Sequence, residues 1–457
     1  MFRSPELDAL SSRDQLIRIP DEIDVPITDR VRRLIDTKAF RRLASIPQLG
    51  LVALVYPGAT HTRFEHSLGV YRNALEFIER LRRDERFEQA IGEAEVSRLI
   101  VAALLHDLGH WPFCHPIEDL SLPTVGTHEE FAERWLHDDE VSAALREDWD
   151  LEPEGVLSLL NGPHESRGER IAASVLSGPI DVDKLDYLYR DSLHAGVPYG
   201  RNFDRGRLIS GLCLDAAGER LAIEDKVKTA AEMMVFARYV MFSEVYWHHA
   251  VRSATAMFQR LFYEVHRARV LSESEPRWED WFREEPRGFL QRVHPWILET
   301  TSARLFDGLF GPRRRLYKRL AQFSVTEGGE VYDAIARRPY PWLVECSARL
   351  SQRIASTTGH QLAPEDVLID APPVGLEVQF KVDVRDSQTS TYRSFGSVSP
   401  VVETLATRQF DDFVKRVRVF VSPDHAAALR SRLAPDASRR MADLLLEAAN
   451  TVELDRG

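Results

Sequence analysis

Two imidazoles and two carboxylates, spread along the chain as His66, His106, Asp107 and Asp183, have the types needed to hold one divalent metal ion. Neutral imidazole and carboxylate suit Mn, Fe, Zn or Mg, and four such ligands leave coordination positions for water and a phosphate oxygen. That is the chemistry of a metal-assisted hydrolase. His115 and Glu118 stand three residues apart, one helical turn, so the carboxylate can orient or charge-stabilise the imidazole while it protonates a leaving oxygen or positions water. Asp183, Tyr187 and Asp191 recur every four residues and share one face of a helix.

Six of the fifteen histidines, His61, His66, His106, His110, His115 and His128, are crowded into one stretch, which a site explains better than scattered surface histidines do. Taken singly, each reads equally well as a hydrogen-bonded structural histidine. The set carries the argument.

The elements that must position these groups are mainly helices. Arg30 to Leu43 carries Val31, Leu34, Ile35 and Phe40 at near-helical spacing, and Ser67 to Leu81 carries Leu68, Val70, Tyr71, Leu75 and Ile78. Thr127-His-Glu-Glu130, followed by Phe131, Trp135 and Leu136, is a capping box opening an amphipathic helix, and Gly109 stops the helix that carries the His106-Asp107 pair. Leu212 to Ile223 alternates on both sides of a Gly-bearing turn, a small inserted hairpin. Residues 272 to 288, rich in Glu, Pro and Arg, read as a surface loop. Beyond about residue 355, Leu376 to Val382 and Val417 to Val421 alternate with period two, with Pro364, Pro372 and Pro373 ahead of or beside the first. The expected fold is mainly α: a helical core over residues 1–355, with the chemistry-bearing residues within 48–250, and a small α/β unit over 356–457.

Composition narrows the partners. The 457 residues, 44% of them hydrophobic, suffice for a large buried core, and the net charge of −12 disfavours a nucleic-acid backbone except at a local basic pocket. Cys114, Cys213 and Cys346, odd in number and far apart, argue against a disulfide framework and read as buried small apolar residues. The N-terminus has no basic-then-apolar signal pattern, and the longest apolar run, Leu99 to Leu105, is too short to span a bilayer. A cytoplasmic protein without membrane contact is expected.

Three blocks then carry a resemblance. Tyr56-Pro-Gly-Ala-Thr-His-Thr-Arg-Phe-Glu-His-Ser-Leu-Gly-Val70, His106-Asp-Leu-Gly-His-Trp-Pro-Phe-Cys-His115 and Ile180-Asp-Val-Asp-Lys-Leu-Asp-Tyr-Leu-Tyr-Arg-Asp191 resemble the HD-domain deoxynucleoside triphosphate triphosphohydrolases, which include dGTPases. Gln48-Leu49-Gly50 upstream and the spacing of Arg238, Tyr246 and His248 downstream extend the match. The resemblance implies an HD-type helical bundle in which water attacks the α-phosphorus of a dNTP, releasing deoxynucleoside and tripolyphosphate. It implies His66, His106, Asp107 and Asp183 as ligands of a metal of unspecified identity, and His115 with Glu118 as acid, with His110 and His128 beside them. Glu118 replaces the Asp of many relatives and keeps its charge.

A triphosphate brings about four negative charges, so fixed cations must converge on it, and the resemblance points to Arg63, Lys184 and Arg238. It places Tyr187 against the deoxyribose, Gln48 and Asp191 on the 3′-hydroxyl, and Leu49 and Trp247 near the base. Trp247 is bulkier than the polar residue often found there, so base preference stays open. Relatives form tetramers or hexamers, which implies a homo-oligomer. In vertebrate-type members an Asp and an Arg bind an activating guanine nucleotide; here Asp36 is kept but Ala44 replaces the Arg, which leaves only an allosteric nucleotide of another kind. The competing readings are an HD phosphohydrolase acting on nucleoside monophosphates or cyclic nucleotides, and a nucleotide-sensing or nucleic-acid-binding assembly subunit. The basic run Pro312 to Arg319 is the feature that would serve the last.

Overall fold

The computed structural model describes residues 3–12, 14–272, 277–298, 302–372, 381–405 and 413–454. In chain order the elements that matter are β1 (Leu16–Ile19), β2 (Ile23–Pro26), α1 (Asp29–Ile35), α2 (Lys38–Arg41), α3 (Arg63–Leu81), α4 (Glu93–Leu105), α5 (His128–Leu136), α6 (Pro153–Asn161), α7 (Arg167–Leu176), α8 (Val182–Ala195), β3 (Leu212–Leu214), β4 (Leu221–Glu224), α9 (Lys228–Met241), α10 (His249–Ser272), β5 (Lys318–Phe323), α11 (Tyr340–Thr358), β6 (Val367–Asp370), β7 (Asp383–Arg385), β8 (Tyr392–Ser394), β9 (Val417–Val421), α12 (Pro423–Leu433) and α13 (Ala437–Leu454). The fold is mainly α, as expected. Among the described residues no helix is long and apolar enough to cross a membrane.

The chain gathers into two compact units. The first comprises residues 1–112, 127–241 and 379–407, and the second 113–126, 242–378 and 408–457. A cut at residue 355 does not follow this division, because strands distant in sequence pair within each unit.

In the first unit α3 is the central helix. Thr62 caps it by accepting from the Glu65 amide, and Leu68, Tyr71, Ala74, Leu75, Phe77 and Ile78 are buried along it. The capping box at Thr127 and Glu130 opens α5 as the sequence indicated. The expected helix from Arg30 to Leu43 is instead broken after Ile35: the Thr37 hydroxyl accepts from the Phe40 amide and starts a new helix, so local capping wins over continuous periodicity. The hairpin β3–β4 forms with Leu212 opposite Ile223 and Gly218 at φ +68° in its turn. It extends into a four-stranded sheet ordered β3-β4-β7-β8.

In the second unit β9 is the middle strand of an antiparallel sheet ordered β5-β9-β6. Val417, Val419 and Val421 pack with Leu350 and Ile354 of α11 and Leu445 and Ala448 of α13. The alternating Val417–Val421 segment is thus a strand, but its partner β5 lies far upstream of residue 355. The other alternating segment, Leu376 to Val382, falls largely outside the described residues. Residues 277–288 do not simply loop: Trp278 and Trp281 are buried around Arg269, whose guanidinium lies 4.5 Å and 4.4 Å from their ring centroids. Two large rings anchor a segment whose charge suggested exposure. All three cysteines are buried and unbridged.

Candidate metal centre

Residues 46–48 pair with the chain just before α3: the Gln48 amide donates to the His61 carbonyl at 2.9 Å and the Arg63 amide to Ile46 at 2.9 Å. This fixes the start of α3, and His66 lies in its first turns. Helix α4 delivers the next pair, ending at Leu105 so that His106 caps it and Asp107 enters a tight turn. Arg42 holds that turn by donating to the carbonyls of Leu108 at 2.7 Å and His110 at 2.8 Å. Gly109 is needed for close approach rather than to stop the helix, since a Cβ there would lie 2.0 Å from the His128 carbonyl oxygen and 2.7 Å from the Ala132 nitrogen. Asp183 follows the α8 cap, where the Asp181 carboxylate accepts from the Lys184 amide at 2.7 Å.

These elements bring the four candidate ligands together. His66 Nε2 lies 3.1 Å from Asp183 Oδ1 and 3.8 Å from Asp107 Oδ2. His106 Nε2 lies 3.3 Å from His66 Nε2, 3.5 Å from Asp107 Oδ1 and 3.9 Å from Asp183 Oδ1. His66, His106 and Asp107 form a group whose donor atoms fall within 4.8 Å of one another, close enough to share an ion.

The donor set passes a chemical test of fit. His66 Nδ1 is 2.8 Å from Asp186 Oδ2 and His106 Nδ1 is 3.0 Å from the Ala103 carbonyl, acceptors that place both ring protons on Nδ1. Both Nε2 lone pairs then face each other among carboxylates, an arrangement that requires a cation between them. Without a metal the cation is a proton. Burial alone would lower the His66 pKa, but Asp183, Asp186 and Asp107 outweigh it and raise it to about 10. Asp107 is held well below the usual carboxylate range; burial opposes this, and Arg63 is the strongest charge favouring it.

Access is one-sided. The His66 and Asp107 side chains are 1% and 6% exposed, whereas His106 and Asp183 are 17% and 33% exposed. The latter two help line a cavity of about 560 Å³ within the first unit, together with His128, His164, Arg170, Arg220 and Lys381.

The other sequence candidates divide between the units. Arg63 Nη1 binds Asp107 Oδ2 at 2.7 Å, and Lys184 Nζ binds Asp181 Oδ2 at 2.7 Å. The His110 ring lies 4.0 Å from that of His128, with its Nδ1 3.2 Å from Asp107. Burial raises the Tyr187 hydroxyl pKa, opposed first by the charge of Arg238 and then by Lys184, so these three belong to one neighbourhood. Asp191 is buried with its Oδ1 2.8 Å from His61 Nε2. Gln48, beside half-buried Leu49, keeps a buried Oε1 without a hydrogen-bond partner. His115, Glu118, Tyr246, Trp247 and His248 belong to the second unit. There His115 Nδ1 is 3.4 Å from Glu118 Oε2 with its side chain 60% exposed. Trp247 is buried, with Arg252 4.3 Å from its ring centroid and its carbonyl accepting from Arg418 at 2.9 Å.

Sequence reasoning passed over Arg42, Glu65, Asp186, Arg190 and His194. Asp186 and Arg190 are an i, i+4 pair on the helix of Asp183, a signal easily taken for a solvated surface pair. Both are buried, and Arg190 also binds Glu65 at 2.6 Å, which in turn accepts from His194 at 2.9 Å.

Residues 63–188 match the HD domain, and residues 203–436, half of the chain, match the HD associated region. The chain belongs to the HD-domain family whose members carry this associated region. The crystal structure of a hypothetical protein from Aquifex aeolicus is similar over 92% of this chain and 99% of that one, at 26% identity and a TM-score of 0.68. The uncharacterized protein YwfO of Bacillus subtilis is 33% identical over 57% of this chain and 58% of its own. A deoxynucleoside triphosphate triphosphohydrolase SAMHD1 homolog of Dictyostelium discoideum is 30% identical over 54% of this chain and 48% of its own. The chain thus spans about half the length of the curated relatives it matches.

Proposed function

We propose that this HD-domain protein is a metal-dependent deoxynucleoside triphosphate triphosphohydrolase. The observation that carries the reading is the clustering of His66, His106 and Asp107, with Asp183 Oδ1 3.1 Å from His66 Nε2 and 3.9 Å from His106 Nε2, beside buried Arg63 and half-buried Lys184. A divalent ion held by these four would polarise the α-phosphate and lower the pKa of an attacking water.

The chain's own groups supply the rest. Arg63, Lys184 and Arg238 neutralise the triphosphate, with Arg63 and Lys184 exchanging part of their present carboxylate contacts for phosphate. The buried Oε1 of Gln48, without a partner, accepts from the 3′-hydroxyl, with Asp191 on the same sugar edge. Tyr187 packs on the deoxyribose where a 2′-hydroxyl would clash. His115, oriented by Glu118, delivers a proton to the leaving 5′-oxygen, with His110 and His128 lining the phosphate path. Leu49, Tyr246, Trp247 and His248 face the base and sugar. The working form is a homo-oligomer in the cytoplasm, open to an allosteric nucleotide. The triphosphohydrolase named among the relatives supports this substrate class over nucleoside monophosphates, cyclic nucleotides or a binding-only role.

The test is product analysis with each dNTP in Mn or Mg, with dAMP and cyclic dinucleotides in parallel. Tripolyphosphate and deoxynucleoside are expected, and both vanish with Asp107→Ala or after chelation. Release of single orthophosphate, turnover of the monophosphate alone, or activity indifferent to Asp107→Ala would overturn the reading.

A further inference from the structure

His66 is the most deeply buried of the four candidate ligands, and its ring is anchored differently from that of His106. His106 Nδ1 faces a backbone carbonyl of its own helix, that of Ala103 at 3.0 Å. His66 Nδ1 instead faces a side chain on another helix, Asp186 of α8, at 2.8 Å. That carboxylate is itself gripped by Arg190 at both oxygens: Nε donates to Oδ2 at 2.8 Å and Nη2 to Oδ1 at 2.7 Å. Arg190 in turn donates from Nη1 to Glu65 at 2.6 Å and to the Pro20 carbonyl at 3.2 Å.

The helix carrying His66 is shaped to receive this pair. Gly69 lies one turn beyond His66 on α3, and a Cβ there would stand 1.9 Å from Asp186 Oδ1 and 2.4 Å from Arg190 Nη2. The carboxylate and guanidinium therefore lie directly on the α3 backbone. His66, Asp186 and Arg190 are 1%, 2% and 0% exposed. Burying two ions costs several kcal/mol each, and a merely structural contact between α3 and α8 would be made at least as well by apolar side chains. What the ionic arrangement adds is orientation of one imidazole.

We propose that Asp186, clamped by Arg190 over Gly69, is the positioning residue of His66: it holds the proton on Nδ1 and aims Nε2 at the metal. The inference rests on the reading of His66 as a ligand. Partners of this kind raise ligand basicity and fix the ring, and their loss typically weakens metal binding roughly 10- to 100-fold.

The experiment measures Mn and Co affinity of the full chain by competition with a chromophoric chelator, alongside the Co visible spectrum and the melting temperature of the metal-free protein. Asp186→Asn keeps shape but removes the charge. It is expected to weaken metal binding about 10- to 100-fold and to change the Co spectrum, with the metal-free protein still melting cooperatively. Gly69→Ala, which pushes the pair off the helix, should reproduce the loss. If Asp186→Asn does not fold, Glu65→Gln slackens Arg190 from its outer end and should still weaken binding severalfold. Variants that fold and bind Mn and Co as tightly as the wild type, with an unchanged spectrum, would overturn the proposal. A wild type that takes up neither metal would instead overturn the ligand reading itself, and this proposal with it.

Discussion

The Arg42 guanidinium donates at once to the carbonyls of Leu108 and His110, at 2.7 Å and 2.8 Å, and so spans the turn that follows the His106-Asp107 pair. It is buried, and its guanidinium carbon also sits 4.6 Å from the centroid of the Trp135 ring. A turn that carries two metal ligands and His110 is thereby tied by a side chain more than sixty residues upstream. Hydrogen bonds from a charged donor are worth about 1.5–3 kcal/mol each, and an orphaned buried carbonyl adds its own penalty. Arg42→Ala is therefore expected to cost about 3 kcal/mol or more and to weaken metal retention. Arg42→Lys, which lacks the fork, should recover less than half of the loss. Chemical denaturation of both variants, with metal content measured after desalting, checks this.

At Gly109 the obstacle is backbone. An added Cβ would meet the His128 carbonyl at 2.0 Å and the Ala132 nitrogen at 2.7 Å, atoms that no rotamer change can move aside. Gly109→Ala must shift the start of α5, and with it His128, whose ring lies 4.0 Å from that of His110. The proposed dNTP hydrolysis should fall at least tenfold while far-ultraviolet dichroism stays close to wild type. Retained activity would show that the α5 terminus is not needed in place.

These two residues mark the limit of what the sequence disclosed. The capping box at Thr127, the β3–β4 hairpin and the strand at Val417 were legible because each depends on local spacing, whereas the ligand set His66, His106, Asp107 and Asp183 was an expectation from residue types and from the resemblance of three separated blocks. Arg42, Asp186 and Arg190 were not legible, because a buried charge and an exposed one look alike in sequence; burial is a property of the fold. The break at Thr37 was hidden for a related reason: apolar periodicity ran through it, and only the hydroxyl-to-amide cap at 3.3 Å distinguishes two short helices from one long one. The two-unit division escaped because β5 joins β9 across almost a hundred residues.

Acid sensitivity should have an identifiable source at Glu6. Burial alone would raise its pKa, but Arg30, Ser4 and Thr28 outweigh that and hold it below the ordinary carboxylate value. Arg30 Nε donates to its Oε1 at 2.8 Å and Thr28 at 2.7 Å. A folded-state pKa below the unfolded one means the contribution is complete above the unfolded value, near 4.5, and is lost as pH falls through the lowered folded value. Glu6→Gln should lower stability at pH 7 by roughly 3 kcal/mol, since Arg30 loses its partner, and should flatten the decline below about pH 4.5. Urea midpoints from pH 3 to 7 decide it: parallel curves for variant and wild type would exclude Glu6 as the source.

Trp247 offers a way to separate a structural from a base-selecting role. Its ring is faced by Arg252 and Arg418, and both arginines are tied to Asp370, at 2.6 Å and 3.6 Å. Truncating so buried an aromatic costs about 3–5 kcal/mol. Trp247→Ala should therefore destabilise the second unit by that order and, with the ring facing the base as proposed, change the ratios among the four dNTP rates. Destabilisation with all four rates lowered in the same proportion would leave the ring a structural role only and remove it from base selection.

Gln48 gives the sharpest substrate test, because its Oε1 is buried without a hydrogen-bond partner. If that oxygen accepts from the 3′-hydroxyl, then removing either partner removes the same bond. A neutral hydrogen bond is worth about 0.5–1.5 kcal/mol, or roughly 2- to 13-fold in kcat/KM. Gln48→Ala with a dNTP, and the wild type with the corresponding 2′,3′-dideoxynucleotide, should each fall by that factor. The variant with the dideoxynucleotide should fall little further, since contacting partners are not additive. Full multiplication of the two losses would mean that Gln48 and the 3′-hydroxyl never meet, and would move the sugar away from the Gln48-Leu49 segment.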